Sequence, residues 1–330
     1  MEAIGGYFSL ELPLNAKGEL YPEAIKLNAG RFCLEYILRA RQYKKIYLAY
    51  YTCDSVLQPI KKLGLEYEFY HIDEQLHIAS HIELKQNEVL IYCNYYGLLD
   101  EYVEQLSKEY ENHLIIDNSQ AFYSCPIPHI DTFNSCRKFF GVADGAYLFT
   151  EKKLDIVLSY DHSIGRMKYL AERIDRSAEE AFPAFHNNED IIDHSNISRM
   201  SKITQRIMNT IDYDIVAKRR IQNYRMLDSV LRETNSFHKK INKNTVPMIY
   251  PYLIQDGDKL RKWLIEHKVY VAKYWSNVET WVGKNSLEAS IAKDLIPLPI
   301  DQRYGEEEMR YIINLIVKNR FTSTVGNRFI

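Results

Sequence analysis

The sequence predicts an α/β protein: a mostly parallel sheet covered by helices on both faces in three layers, followed by a smaller C-terminal α+β domain. Three observations predict it. Between about Lys26 and Thr150, short aliphatic-aromatic runs alternate with helix-patterned segments over short connections, the pattern of a parallel sheet. After Lys153 the character changes, and a long, highly charged helical stretch occupies residues 201–233. With 330 residues the chain can build a large domain and a smaller one. We therefore expect a large domain over residues 1–200 and a smaller one over 201–330, entered through that long helix.

The elements follow in order. LNAGRFCLEYILRARQY reads as a small-residue turn and then a helix, because Phe32, Tyr36 and Ile37 recur at helical spacing. KKIYLAYY is a short strand, and DSVLQPIKKLG is a short helix closed by Gly64. LEYEFYHID and NEVLIYCNYYG read as two further strands. LLDEYVEQLSKEYEN is an amphipathic helix, HLIIDNSQ a buried strand and GAYLFTEK one more. In the second part VPMIYPYLI reads as a strand and DKLRKWLIEHK as a helix. VYVAKYW and LIPLPI are strand-like, and GEEEMRYIINLIVKN is a closing helix with acids in its first turn.

Composition narrows the function. The formal net charge is -2, so no global positive field draws the chain to nucleic acid or to an anionic membrane. The five cysteines, Cys33, Cys53, Cys93, Cys125 and Cys136, are odd in number and lack C-x-x-C spacing. That pattern predicts reduced thiols in a cytoplasmic protein, without a disulfide framework or zinc site. MEAIGGYFSLELPL has no basic region leading into an apolar one, and no apolar run is long enough to span a bilayer. The ten histidines show no metal-binding spacing, and neither a phosphate-loop nor a dinucleotide glycine pattern occurs. Tyrosine is abundant, with 26 residues offering flat apolar area tipped by a hydroxyl, suited to interfaces and polar ligands.

Polar groups at strand ends are the candidates for chemistry, since ligands of open α/β sheets collect at the carboxyl ends of the strands. Ala29-Gly30-Arg31 is a small-residue turn at a helix start, where free N–H groups and the helix dipole suit an anion. In HLIIDNSQAF, Asp117 ends a buried apolar run, and Ser119 and Gln120 follow it. A carboxylate there is costly unless a cation meets it. Ser135 and Lys138 lie a short way on, in SCRKFFG. An amine, a carboxylate and a phosphate cradle are what pyridoxal phosphate requires for its Schiff base, its ring nitrogen and its phosphate. Arg137, beside Lys138, either faces the amine and favours its neutral form or points elsewhere.

The order of these segments resembles the DegT/StrS-type sugar aminotransferases, a family of fold type I pyridoxal-phosphate enzymes. Their S-G-T-x-A-L helix start resembles AGRFCLEYILRA, their V-H-L-Y-G resembles CNYYG, and their E-D-A-A-Q-A resembles IDNSQAF. Their S-F-x-x-x-K followed by G-E-G-G resembles SCRK followed by Ala143-Asp144-Gly145-Ala146, with Asp144 six residues after Lys138. Further on, KRRIQNYRML resembles their R-x-x-N-Y segment and IPLPIDQRY a late strand.

The resemblance implies a pyridoxal 5'-phosphate-dependent aminotransferase. It would act on a nucleotide-linked keto-sugar with an amino-acid donor, glutamate, in the biosynthesis of a polysaccharide or glycosylated metabolite. It further implies that Lys138 binds the cofactor covalently and acts as the general base, with Asp117 on the pyridine nitrogen. Gln120 would stand near the ring oxygen or phosphate, and Ala29, Gly30, Arg31 and Ser135 at the phosphate. A homodimer is implied as well. The chain departs from the family at four places: Ser135 stands three residues before the lysine instead of five, and Cys53 falls where an aromatic stacks on the cofactor ring. One glycine, Gly145, remains of the three in the turn, and Asn196 is one place out of register with a phosphate-binding asparagine. Tyr50, Tyr51, Tyr95 and Tyr96 are candidates for the missing aromatic. A sugar dehydratase is a second reading, in which histidine would replace Lys138. A non-catalytic relative binding a sugar nucleotide is a third.

Overall fold

The computed structural model describes residues 6–326. A seven-stranded sheet is built from β1 (Ile25–Leu27), β2 (Lys45–Ala49), β3 (Glu66–Tyr70), β4 (Glu88–Cys93), β5 (Leu114–Asn118), β6 (Asp131–Asn134) and β7 (Ala146–Phe149), in the order β1-β7-β6-β5-β4-β2-β3. Strands β3, β2, β4, β5 and β6 pair in parallel, while β7 is antiparallel to both β6 and β1. One strand thus runs against the rest, and the sheet is mostly parallel as expected. All residues of β4 and β5 are buried, the signature of strands covered on both faces.

The two faces carry different partners. Ile46, Leu48, Val89, Ile91 and Ile115 face one way and share a core with helices α1 (Gly30–Arg41) and α2 (Leu57–Lys62). Their neighbours Tyr47, Leu90, Tyr92, Leu114 and Ile116 face the other way and pack with α3 (Asp100–Tyr110). The strand period of two makes this sorting automatic.

Beyond β7 come a hairpin of α4 (Lys168–Asp175) and α5 (Ala178–Asp193), then α6 (Lys202–Met208) and α7 (Tyr213–Leu231). The charged stretch read as one long helix is therefore two. The break has a local cause: Asn209 ends α6, and the Asp212 side chain accepts from the Ile215 N–H and starts α7 afresh. The remaining elements are β8 (Ile249–Leu253), α8 (Gly257–Glu266), α9 (Val278–Val282), α10 (Leu287–Asp294), β9 (Leu295–Pro299) and α11 (Glu306–Gly326). Strands β8 and β9 pair antiparallel, and with α7, α8 and α11 they enclose a separate apolar cluster around Tyr250, Leu264 and Leu298. VYVAKYW has apolar alternation but forms no strand: Val269 and Val271 anchor it in this cluster without a β partner.

Many of the tyrosines serve the interior. Tyr51, Tyr92, Tyr95, Tyr96 and Tyr147 are fully buried. Tyr92 donates to the Leu76 carbonyl at 2.7 Å and Tyr95 to the Tyr51 carbonyl at 2.8 Å. Burial pushes the Tyr92 and Tyr95 phenols far above their ordinary range, so they remain donors.

The turn between Lys138 and β7 is held by Asp144. Its buried carboxylate accepts from the Ser201 N–H and hydroxyl, each at 2.7 Å, and from the Thr204 hydroxyl, all at the start of α6. Gly145 is the glycine retained in this turn, and the backbone explains why. Its φ is +115°, and a Cβ there would lie 3.0 Å from the Thr204 methyl. Asp144→Ala would strand these buried donors. We expect a loss of roughly 2–4 kcal/mol of stability, read from urea unfolding with an unchanged m-value.

Candidate active site

A cavity opens at the carboxyl ends of the parallel strands. Thr52 and Cys53 reach it from the loop after β2, Cys93 from the last position of β4 and Asp117 from β5. Phe133 comes from β6, and Lys138 from the short helical turn Cys136–Lys138 just beyond it. Register accounts for the convergence: Cys93 pairs with Asp117, and Asp117 with Phe133, across adjacent strands. Lys138 and Asp117, distinct in sequence, line one cavity, with Gln120 between their segments in the chain.

Asp117 is 8% exposed, and its carboxylate accepts from the Ser119 N–H at 2.7 Å. Burial raises its pKa above the ordinary 3.8, opposed by the Ser119 hydrogen bonds and the positive charge of Lys138. Gln120 is buried with one group engaged: its Oε1 accepts from the Tyr96 N–H at 3.1 Å, while its Nε2 has no partner among the described residues. A buried amide donor left open beside a cavity is the mark of a site that expects an acceptor.

The third part is the start of α1. Ala29 occupies its N-cap with no side-chain hydrogen bond, leaving that end of the helix uncapped. Ala29 and Gly30 do not themselves line the cavity, but Gly30 packs closely over it: a Cβ there would stand 3.2 Å from Ser119 Oγ and 3.5 Å from the Phe133 ring. Arg31 does line the cavity, and its guanidinium bonds to Gln58 and pairs with Asp193 on α5.

Other expected residues lie elsewhere. Ser135 is buried at the N-cap of the lysine turn and is not among the cavity-lining residues. Arg137 turns away to pair with Glu189 on α5, and burial lowers its pKa. The Asn196 side chain accepts from Lys62 at 3.1 Å. Tyr51, Tyr95 and Tyr96 are packed inside, and Tyr50 stacks on Phe69 at 4.7 Å. The aromatic that does reach the cavity from the second half of the chain is Trp275. Sequence gave no local sign of it, since it lies in the segment that reads as a strand.

The backbone next to Lys138 is gripped from afar. The Phe139 carbonyl accepts from Gln302 Nε2 at 2.7 Å and from the Arg220 guanidinium at 3.3 Å, and that guanidinium lies 4.5 Å over the Phe139 ring. Arg220 is 1% exposed and also donates to the Met248 carbonyl at 2.9 Å. Its pKa is pushed down to about 10 by burial.

No protein-family profile and no curated protein sequence matches this chain. Solved structures do match. Spr1654 from Streptococcus pneumoniae, in its PMP form, is similar with a TM-score of 0.64 at 14% identity, over 93% of this chain and 88% of its own. DesI, solved in the presence of its TDP-sugar product, gives 0.61 at 12% identity over 92% and 83%. A DegT DnrJ EryC1 StrS aminotransferase from Brucella abortus gives 0.59 at 11% identity over 89% and 85%. The three-layer, mostly parallel architecture is thus the fold type I arrangement, shared along most of the chain.

Proposed function

We propose that the chain is a pyridoxal-phosphate-dependent aminotransferase of the DegT/StrS type, moving an amino group from glutamate to a keto-sugar linked to a nucleotide. One observation carries this reading: Lys138, the desolvated Asp117 and the open amide of Gln120 meet in a single cavity at the strand ends. The fold, common to sugar aminotransferases over most of the chain, supports the substrate class.

The residues fit the cofactor. Asp117 provides a buried carboxylate for a ring N–H, Gln120 a donor for a ring oxygen, and the uncapped start of α1 together with Arg31 a place for the phosphate. Pyridoxal phosphate, when bound, supplies an aldehyde that captures amino groups and a protonated ring that draws electrons from the adjoining carbon. Lys138 Nζ would hold that aldehyde in the absence of a substrate amine. Freed, the same Nζ takes the proton from the α-carbon of glutamate, and in the second half-reaction it delivers a proton to the keto-sugar substrate's carbon. Asp117, a buried carboxylate lining the cavity, would keep the ring nitrogen protonated. Glutamate would leave as its keto acid, its new carbonyl oxygen taken from one water, and the sugar carbonyl would become an amine, its oxygen departing as another water.

We take the enzyme to be a cytoplasmic homodimer. Free cysteines support the compartment, and the exposed Ile174 and Phe182 of the α4–α5 hairpin support a covered face. Among the described residues no helix is long and apolar enough to cross a membrane.

The test is direct. Protein mixed with pyridoxal phosphate should turn yellow, and glutamate with a panel of nucleotide-linked keto-sugars should yield the keto acid and an amino-sugar. A protein that stays colourless and releases no keto acid would overturn the reading in favour of a binding protein.

A further inference from the structure

The cavity draws its walls from the first half of the chain, from the sheet, its loops and α1, with one exception. Trp275, 137 positions beyond Lys138 in the sequence, is its one lining residue from the last third of the chain. Its backbone has φ +60°, a left-handed conformation that bulky side chains rarely adopt. Such a conformation persists only where the surroundings enforce it.

The surroundings here are specific. The indole meets the Tyr51 ring edge-on at 4.8 Å and lies 6.1 Å from Tyr95. Tyr274, next to it, stacks on Tyr96 with centroids 6.3 Å apart. The Tyr51 and Tyr96 hydroxyls are 2.8 Å apart and bonded to each other, so the tyrosine platform is itself rigid. On the other side, Asn277 Nδ2 donates to the Thr52 carbonyl at 3.0 Å, tying the segment down beside Cys53. The indole is thus held at a fixed place in a cavity where the nearby loop presents the non-aromatic side chains of Thr52, Cys53, Ser55 and Val56.

We propose that Trp275 forms the aromatic wall of the cofactor cavity, its π face packing against a flat, cationic heteroaromatic ring and standing in for the aromatic that Cys53 replaces. The inference rests on the reading of the site as a pyridoxal-phosphate site. Stacking of an electron-rich indole on a pyridinium combines an aromatic contact with a cation–π attraction. Trp275 is a positioning residue: it orders the ring and takes no proton.

The experiment is a cofactor titration of the full-length protein, followed by absorbance and by tryptophan fluorescence. Pyridoxal phosphate should quench wild-type fluorescence, and Trp281→Phe, whose indole packs on Phe69 outside the cavity, should keep that quenching. Trp275→Phe should lose most of it while keeping affinity within about threefold. Trp275→Leu, which holds the volume without the π face, should weaken binding about tenfold with an unchanged circular dichroism spectrum. If Trp275→Leu binds as tightly as wild type, or more tightly, the aromatic-wall role falls while the aminotransferase reading stands. If wild-type protein takes up no pyridoxal phosphate, both fall. Trp275→Tyr covers the case of a Leu variant that fails to fold, and it should bind within about threefold of wild type. Tenfold weakening in a folded Tyr variant would overturn the proposal equally.

Discussion

Lys138→Ala should leave a folded protein that transaminates at least about 10³-fold more slowly, because one amine is asked both to hold the cofactor and to move the proton. The fold should survive because Lys138 is exposed to the cavity, while its neighbours Cys136, Phe139 and Phe140 carry the packing of that turn. Borohydride treatment of the yellow wild-type protein should fix a pyridoxal label on Lys138, found by peptide mass, and the variant should carry none. Lys138→Arg sharpens the test. Arginine keeps the positive charge beside Asp117 but offers no nucleophilic amine, so it should be as inactive as alanine. Retention of near-wild-type rate by either variant would remove the lysine from the mechanism.

Asp117→Asn should move stability and activity in opposite directions. Burial holds the Asp117 carboxyl above its ordinary pKa of 3.8 in the folded protein. The folded state therefore keeps this proton to higher pH than the unfolded chain does. The group's stability contribution is complete below the ordinary value and is lost as pH rises through the raised one. At neutral pH the bare carboxylate costs stability, and asparagine removes that cost. The unliganded variant should melt higher than wild type at neutral pH, with the difference fading as pH falls below the ordinary carboxylate range. Turnover should fall by about 10²–10³-fold, since a neutral amide cannot keep a ring nitrogen protonated. A stabilising change that destroys activity is the behaviour of a residue retained for chemistry. An Asp117→Asn protein of equal activity would show that the carboxylate has another purpose.

Much of this site was legible because its signals are local. Asp117 ends an apolar run, so the polar interruption of a buried strand is visible in LIIDN itself. Lys138 stands at a fixed distance from a turn that needs Gly145, and a positive φ leaves its mark on residue choice. The central strands β4 and β5 were readable for the same reason, since strands covered on both faces are mostly apolar, whereas the short β1 (IKL) and the polar β6 (DTFN) left no such signal.

What was not legible is long-range. Trp275 and Arg220 sit in segments whose local pattern does not mark them: one alternates like a strand, the other lies in a highly charged helical stretch. Yet Trp275 reaches the cavity, and Arg220 is buried against backbone carbonyls. Ser135 shows the converse. The resemblance implied a share in the site for Ser135, yet it is buried at the start of the lysine turn and is not among the residues that line the cavity. Residue type alone did not place the tyrosines: a residue suited to interfaces also fills a core when its hydroxyl finds a partner, as Tyr92 does on the Leu76 carbonyl and Tyr51 on the Tyr96 hydroxyl.

The grip of Gln302 and Arg220 on the Phe139 carbonyl has a consequence for how the protein is made. A spacing of 163 residues separates Phe139 from Gln302. At the usual pace of translation, about 5–20 residues per second, the ribosome needs roughly 10–30 seconds to cover that interval. The nascent sheet can assemble meanwhile, but the turn carrying Lys138 waits for its final support. Newly synthesised chains should therefore acquire colour only once Gln302 has been made, and stalled fragments ending before it should capture vitamin B6 poorly.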